Sequence, residues 1–146
     1  MADYFTQFSC VLDVGTPDKA VAALDLFRRL REEDEASDDP EFSGFALSLQ
    51  DGPGSSVLWF HDDDGLGDVE GVIRFVLRLA EDLDLSGLWG LDYAHTCSRP
   101  RLEAFGGGAH VIDLGARKSI GWISTHEWLT AALNGDDIDT VEALVA

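Results

Sequence analysis

The sequence predicts an α+β domain of the ferredoxin-like, split βαβ kind: an antiparallel sheet widened by an appended β-hairpin and followed by a C-terminal helix. Three observations predict it. Apolar spacing switches between alternation and a three-to-four-residue period in the order β-α-β-β-α-β. The short aromatic-rich runs are bounded by Gly, Pro and Asp, as strands are. The chain has 146 residues, 45% of them apolar, which is the size and composition of one domain over 1–146 with an ordinary core.

Each element has its own signal. Phe5 to Asp13 reads as the first strand, and Gly15-Thr16-Pro17 supplies a turn, an N-cap and a proline at the first helical position. Val21, Leu24, Phe27 and Leu30 then mark one face of a helix to about Arg31. The acid-rich run from Glu32 to Glu41, which contains Pro40, should end that helix in a solvated loop. Phe45, Leu47 and Leu49 alternate with small or polar residues, Asp51-Gly52-Pro53-Gly54 forms a turn, and Ser56 to His61 returns as a hairpin partner. Asp68 caps a second helix whose core face is Val69, Val72, Ile73, Val76, Leu79 and Leu83, ending at Ser86-Gly87.

Leu88 to His95 is the next strand. A short strand near Arg101 to Phe105 and a hinge at Gly106-Gly107-Gly108 lead to a hairpin of Ala109 to Leu114 and Ser119 to Ser124. Ser124 and Glu127 form a capping box that opens a last helix through Trp128, Leu129, Ala132 and Leu133, stopping at Asn134-Gly135. Residues 136–146 read as one more short helix or an acidic tail. The expected core is Val21, Leu24, Phe27, Leu47, Trp59, Ile73, Val76, Leu79, Leu91, Ile112 and Trp122.

Charge is the outlying quantity. Asp and Glu number 28 against 10 Lys and Arg, a formal net charge of −18. Phosphate contacts need Lys and Arg, so direct binding of nucleic acid or of an anionic membrane surface is excluded as an expectation. No apolar run is long enough to span a membrane and no signal peptide opens the chain, so a cytoplasmic location is expected. Cys10 and Cys97 are expected as free thiols.

The acid is patchy. Residues 1–70 hold 17 acidic and 4 basic side chains, whereas 86–126 hold three acids and four bases. Uniform salt adaptation would decorate both regions, so the clusters Glu32, Glu33, Asp34, Glu35, Asp38, Asp39 and Asp62, Asp63, Asp64, Asp68 are read as a partner-binding surface.

No motif names a reaction. With Asp62 as position 1 of an EF-hand loop, Leu66 and Ile73 occupy positions 5 and 12, where oxygen ligands are required. His95, Cys97 and His110 are too few and wrongly spaced for a structural zinc site, with His61 a fourth ligand only if the hairpin end folds beside them. Cys97 with either histidine, or Ser124 with His126, supplies nucleophile and base types without an elbow or signature. Gly106 to Gly108 lacks the lysine of a phosphate loop. No cofactor and no metal are expected.

The leading expectation is a non-enzymatic acidic inhibitor. Clustered carboxylates would imitate the phosphate rows of DNA and occupy a basic nuclease, CRISPR or restriction component, by analogy of charge and size with anti-CRISPR, anti-restriction and nuclease-immunity proteins. The competing expectation is a small enzyme or ligand-binding domain with a pocket near His61, His95, Cys97, Arg99 and His110, its acidity reflecting a salt-adapted host.

Overall fold

A computed structural model describes residues 2–102 and 104–136. The expected helix or tail over 136–146 falls outside them apart from Asp136. The chain is α+β: strands β1 (Tyr4–Gln7), β2 (Ser9–Asp13), β3 (Ala46–Leu49), β4 (Val57–His61), β5 (Leu88–Cys97), β6 (Gly106–Asp113) and β7 (Lys118–Ser124), with helices α1 (Pro17–Glu35), α2 (Val69–Asp82) and α3 (Thr125–Leu133).

The strands form two antiparallel sheets, ordered β1-β5-β6-β7 and β2-β4-β3. This corrects the expectation of one ferredoxin-like sheet. The predicted first strand divides at Phe8, whose N–H donates to Asp62 Oδ1 at 2.8 Å while its carbonyl accepts from Asp62 N–H at 3.2 Å. Beside β1, the loop after β4 takes the pairing position: Thr6 N–H donates to the Gly65 carbonyl at 2.8 Å, and Gly67 N–H donates to the Thr6 carbonyl at 3.0 Å. A Cβ at Gly67 would lie 2.7 Å from the Thr6 carbonyl oxygen, so only glycine permits this approach.

The region from Arg101 to Phe105 is a loop rather than a strand among its described residues, and the three glycines are not a hinge. Gly106, Gly107 and Gly108 lie in β6, paired with His95, Ala94 and Tyr93. A Cβ at Gly108 would strike the Tyr93 phenol oxygen at 2.5 Å, so the bare backbone makes room for that ring.

Thr16 and Asp68 cap α1 and α2 as expected, their side chains accepting from Lys19 and Gly71 N–H. The buried face of α1, however, is Ala20, Ala23, Leu26, Phe27 and Leu30, while Val21 is exposed and Leu24 only half-buried. Ala20 and Ala23 are completely buried there. Helix α2 buries Val72, Phe75, Val76, Leu79 and Ala80. Between the helices and the strands, Phe27, Phe45, Phe60 and Phe75 form a ring cluster with centroids 5.1 to 6.1 Å apart. Such pairs each add about 0.5–1.5 kcal/mol beyond their buried area.

Of the expected core, Phe27, Val76, Leu79, Leu91 and Ile112 are buried, and Leu47 and Ile73 half-buried. Trp59 is exposed because it alternates with the inward Leu58 and Phe60, which turns it to the other side of the sheet. Trp122 is 60% exposed. Trp89 is the buried indole, its Nε1–H donating to the Val11 carbonyl at 2.8 Å across the junction of the sheets. Leu79, completely buried on α2, should make Leu79→Ala cost about 2–5 kcal/mol in chemical denaturation. A loss within about 0.5 kcal/mol, the range of surface substitutions, would refute the packing of this helix.

Candidate functional site

The fold gathers the two acid runs at one end of the molecule. Helix α1 continues through the first run to Glu35, so Glu32, Glu33 and Glu35 project from its last turns, exposed, instead of lying in a loop. The second run precedes and caps α2. Between them the segment 41–44 is tied to both: Asp34 accepts from Glu41 and Phe42 N–H at 3.2 and 2.6 Å, and Asp68 N–H donates to the Gly44 carbonyl at 2.9 Å. Arg74 on α2 donates to the Glu41 carbonyl and pairs with Asp68 and Glu70 at 3.7 and 3.8 Å.

The predicted partner-binding residues divide by role. Asp34, Asp62 and Asp68 are structural: Asp62 accepts from Phe8 and Gly65 N–H, and Asp68 caps α2. Glu32, Glu33, Glu35, Asp38, Asp39, Asp63 and Asp64 are exposed, and among the described residues none has an ion pair. Glu41 and Glu70, which the acid runs contain but the partner-binding reading left out, belong to the same end. That reading also missed Arg74, which the four-residue spacing from Glu70 on a helix could have signalled.

Beside this end, between the N-terminus of α2 and the helix-facing side of the β1-β5-β6-β7 sheet, lies an open cleft of about 520 Å³. Its lining includes Thr6, Asp68, Glu70, Tyr93, His95 and His110, with Ser119 and Trp122. Thr6 Oγ1 and His95 Nδ1 are 2.9 Å apart, and His110 Nε2 and Ser119 Oγ 2.6 Å, so each imidazole is oriented through one nitrogen. The His110 and Trp122 rings stack at 17°. Burial lowers the His110 pKa and raises that of the Tyr93 phenol, with Glu127 adding to the latter.

The expected pocket is thereby redrawn. His95 and His110 line the cleft, whereas Cys97 and Arg99 do not. The His61 and Trp59 rings lie tilted against each other with centroids 4.1 Å apart, on the face turned away from the core. His126 lies in the first turn of α3, where Ser124 serves as N-cap. Among the described residues no three His, Cys, Asp or Glu side chains converge on a metal position. A larger groove of about 660 Å³ between α1 and β3 is lined by Leu24, Leu47, Leu49 and Pro53 with Arg28 and Arg31. It holds no imidazole or thiol.

Two measurements follow from this geometry. Asp62→Ala strands the Phe8 and Gly65 N–H groups and should cost about 1–3 kcal/mol, while the exposed pair Asp63→Asn/Asp64→Asn stays within about 0.5 kcal/mol of wild type or gains stability from relieved repulsion. Equal losses in denaturant titrations would contradict the division of roles. The Cys10 thiol is pushed up from its ordinary 9.0 to about 12, first by burial and then by Asp92. It should resist alkylation by iodoacetamide at pH 8 until the chain unfolds. The unfolded thiol ionises first, so this group makes stability fall as pH rises from about 9 towards 12, a slope that Cys10→Ala should lessen.

Comparison of the chain with protein-family models, with curated proteins and with solved structures finds no match.

Proposed function

We propose that the protein is a non-enzymatic acidic inhibitor that docks on the basic, nucleic-acid-handling surface of another protein, a nuclease or a CRISPR or restriction component. One observation carries this reading: two acid runs some thirty residues apart in sequence meet at one end around a single arginine. Exposed carboxylates spread over such a surface present a basic groove with the sign of charge that a nucleic acid backbone does.

The placement of the acids supports a role in binding. Glu32, Glu33 and Glu35 sit at the C-terminus of α1, whose last turn has no basic residue, where a negative charge opposes the helix dipole at about 0.3–1 kcal/mol per group. Folding gains nothing from them there. A second reading, a small-molecule-binding domain, is favoured by the two oriented imidazoles of the cleft. A ligand-induced rise in melting temperature that is abolished by His95→Ala or His110→Ala would select it instead.

Purified nucleases and CRISPR effector complexes, assayed for DNA cleavage and for association kinetics, test the docking reading. Inhibition should be strong in dilute buffer and weaken as salt rises. The variant Glu32→Gln/Glu33→Gln/Glu35→Gln/Asp63→Asn/Asp64→Asn should fold normally yet associate at least about tenfold more slowly. A wild-type protein that needs molar salt to fold would instead identify a salt-adapted exterior, and a neutralised variant that inhibits as well as wild type would remove the electrostatic mechanism.

A further inference from the structure

We propose that the cleft between the N-terminus of α2 and the β1-β5-β6-β7 sheet binds an organic cation, a guanidinium or ammonium group joined to an apolar body. This goes beyond the docking of the acidic end, and it rests on and deepens the reading of the cleft as a ligand site.

The sheet wall is aromatic. Side chains alternate along a strand, so Tyr93 and His95 share one face of β5, and the register sets His110 opposite Leu91, and Trp122 opposite His110, on that same face. The four rings meet in two pairs. Tyr93 and His95 lie edge to face with centroids 5.3 Å apart, and His110 and Trp122 lie nearly parallel at 6.0 Å. Burial lowers the His110 pKa and raises that of Tyr93, which keeps both rings uncharged at neutral pH. Trp122 is 60% exposed. A cation is attracted to the face of such a ring, and to indole most of all.

The helix wall is anionic. Asp68 and Glu70 line it, and among the described residues no lysine or arginine lines the cleft. Arg74, outside that lining, stands 3.7 and 3.8 Å from the two carboxylates, farther than a hydrogen bond, while it donates to the Glu41 carbonyl at 3.2 Å. One arginine between two carboxylates leaves a negative charge over. Among the described residues no donor hydrogen-bonds to the Glu70 carboxylate or to Asp68 Oδ2.

The two walls select the charge of the ligand. An anion meets two carboxylates and no base in a chain of net charge −18, and is repelled. A neutral planar molecule can stack on the rings but leaves the carboxylates unmatched. A cation with an apolar body answers both walls, with Val69 and Ile73 for the body to cover. A cleft of about 520 Å³ is large enough for a group the size of an arginine side chain. A free amine or guanidine carries this chemistry, and so does a lysine or arginine side chain of a docked protein.

Nuclear magnetic resonance titration of the isotope-labelled full chain tests this. Agmatine represents the free cation, acetyl-Gly-Arg-Gly amide the protein side chain, and the same peptide with citrulline the uncharged isostere. The expected result is saturable shifts at Trp122 Nε1–H and the His110 ring with both cations, weakening as salt rises, and at least about tenfold weaker binding of the citrulline peptide. Tighter binding of agmatine assigns a free molecule and tighter binding of the arginine peptide a protein side chain, and either supports the proposal. Trp122→Ala/Glu70→Gln, at exposed side chains, should keep the fold and weaken both cations at least about tenfold. The variant with Glu32, Glu33, Glu35, Asp63 and Asp64 neutralised retains Asp68 and Glu70, so it should bind them within about threefold of wild type even where docking is lost. Loss of binding in that variant makes the outer acids the cation site and overturns the proposal. Citrulline binding as tight as arginine overturns the selection for charge and leaves the cleft a ligand site. No saturable binding of either cation, or binding indifferent to the double substitution, overturns the proposal and leaves the docking reading standing.

Discussion

The exchange of hydrogen bonds between Phe8 and Asp62 is the constraint on which the arrangement of this molecule depends. At one residue it ends the pairing of the N-terminal segment with β5 and begins its pairing with β4. A carboxylate is required there because its two oxygens reach two donors at once, Phe8 N–H and Gly65 N–H. The second contact shapes the loop, and the loop in turn takes its place beside Thr6 and delivers Asp68 to the start of α2. Phe8 itself is buried, so an N–H left without its acceptor at this point would have no water to replace it.

The same exchange explains why acids in a single run do different things. Asp62 and Asp68 are held by backbone donors, whereas Asp63 and Asp64 between them turn to solvent, Asp64 in the left-handed conformation that short polar side chains tolerate. In the other run Asp34 plays the corresponding part, gathering Glu41 and Phe42 N–H while its helical neighbours remain free. Each run thus has anchor carboxylates that build the end of the molecule and exposed ones that charge it. A sequence count of acids cannot separate the two kinds, since the distinction lies in which backbone donors come within reach.

Legibility in the sequence follows the range of the interaction that decides each feature. The caps at Thr16, Asp68 and Ser124 were readable because their partners lie three residues away. The core face of α2 was readable in part: Val72, Val76 and Leu79 were placed by the apolar period, while the buried Phe75 and Ala80 were not. The α1 face was displaced because two of its fully buried positions, Ala20 and Ala23, carry little hydrophobic weight in a pattern. The division of the first strand was not readable, since its cause is a carboxylate 54 residues away. The acid clusters were legible as clusters, but their union at one end depends on the segment 41–44 and on Arg74, whose contacts are all tertiary or helical. The cleft shows the same limit: His95 and His110 stood out by type, while Thr6 and Ser119, which orient them, are ordinary strand residues until the register pairs them.

What emerges is a molecule whose charge is segregated by its topology. Two of the acid runs meet where α1 ends and α2 begins, held at close quarters by short backbone contacts that offset their repulsion. The hairpin and α3 are attached through β5 and carry almost no net charge. The cleft lies between them, with Asp68 and Glu70 on one side and Trp122 on the other. Repulsion within the acidic end is tolerable because the aromatic core beneath it is built from Phe27, Phe45, Phe60 and Phe75, whose burial does not depend on pH or salt. A surface free of folding duties can then be tuned in charge without endangering the fold.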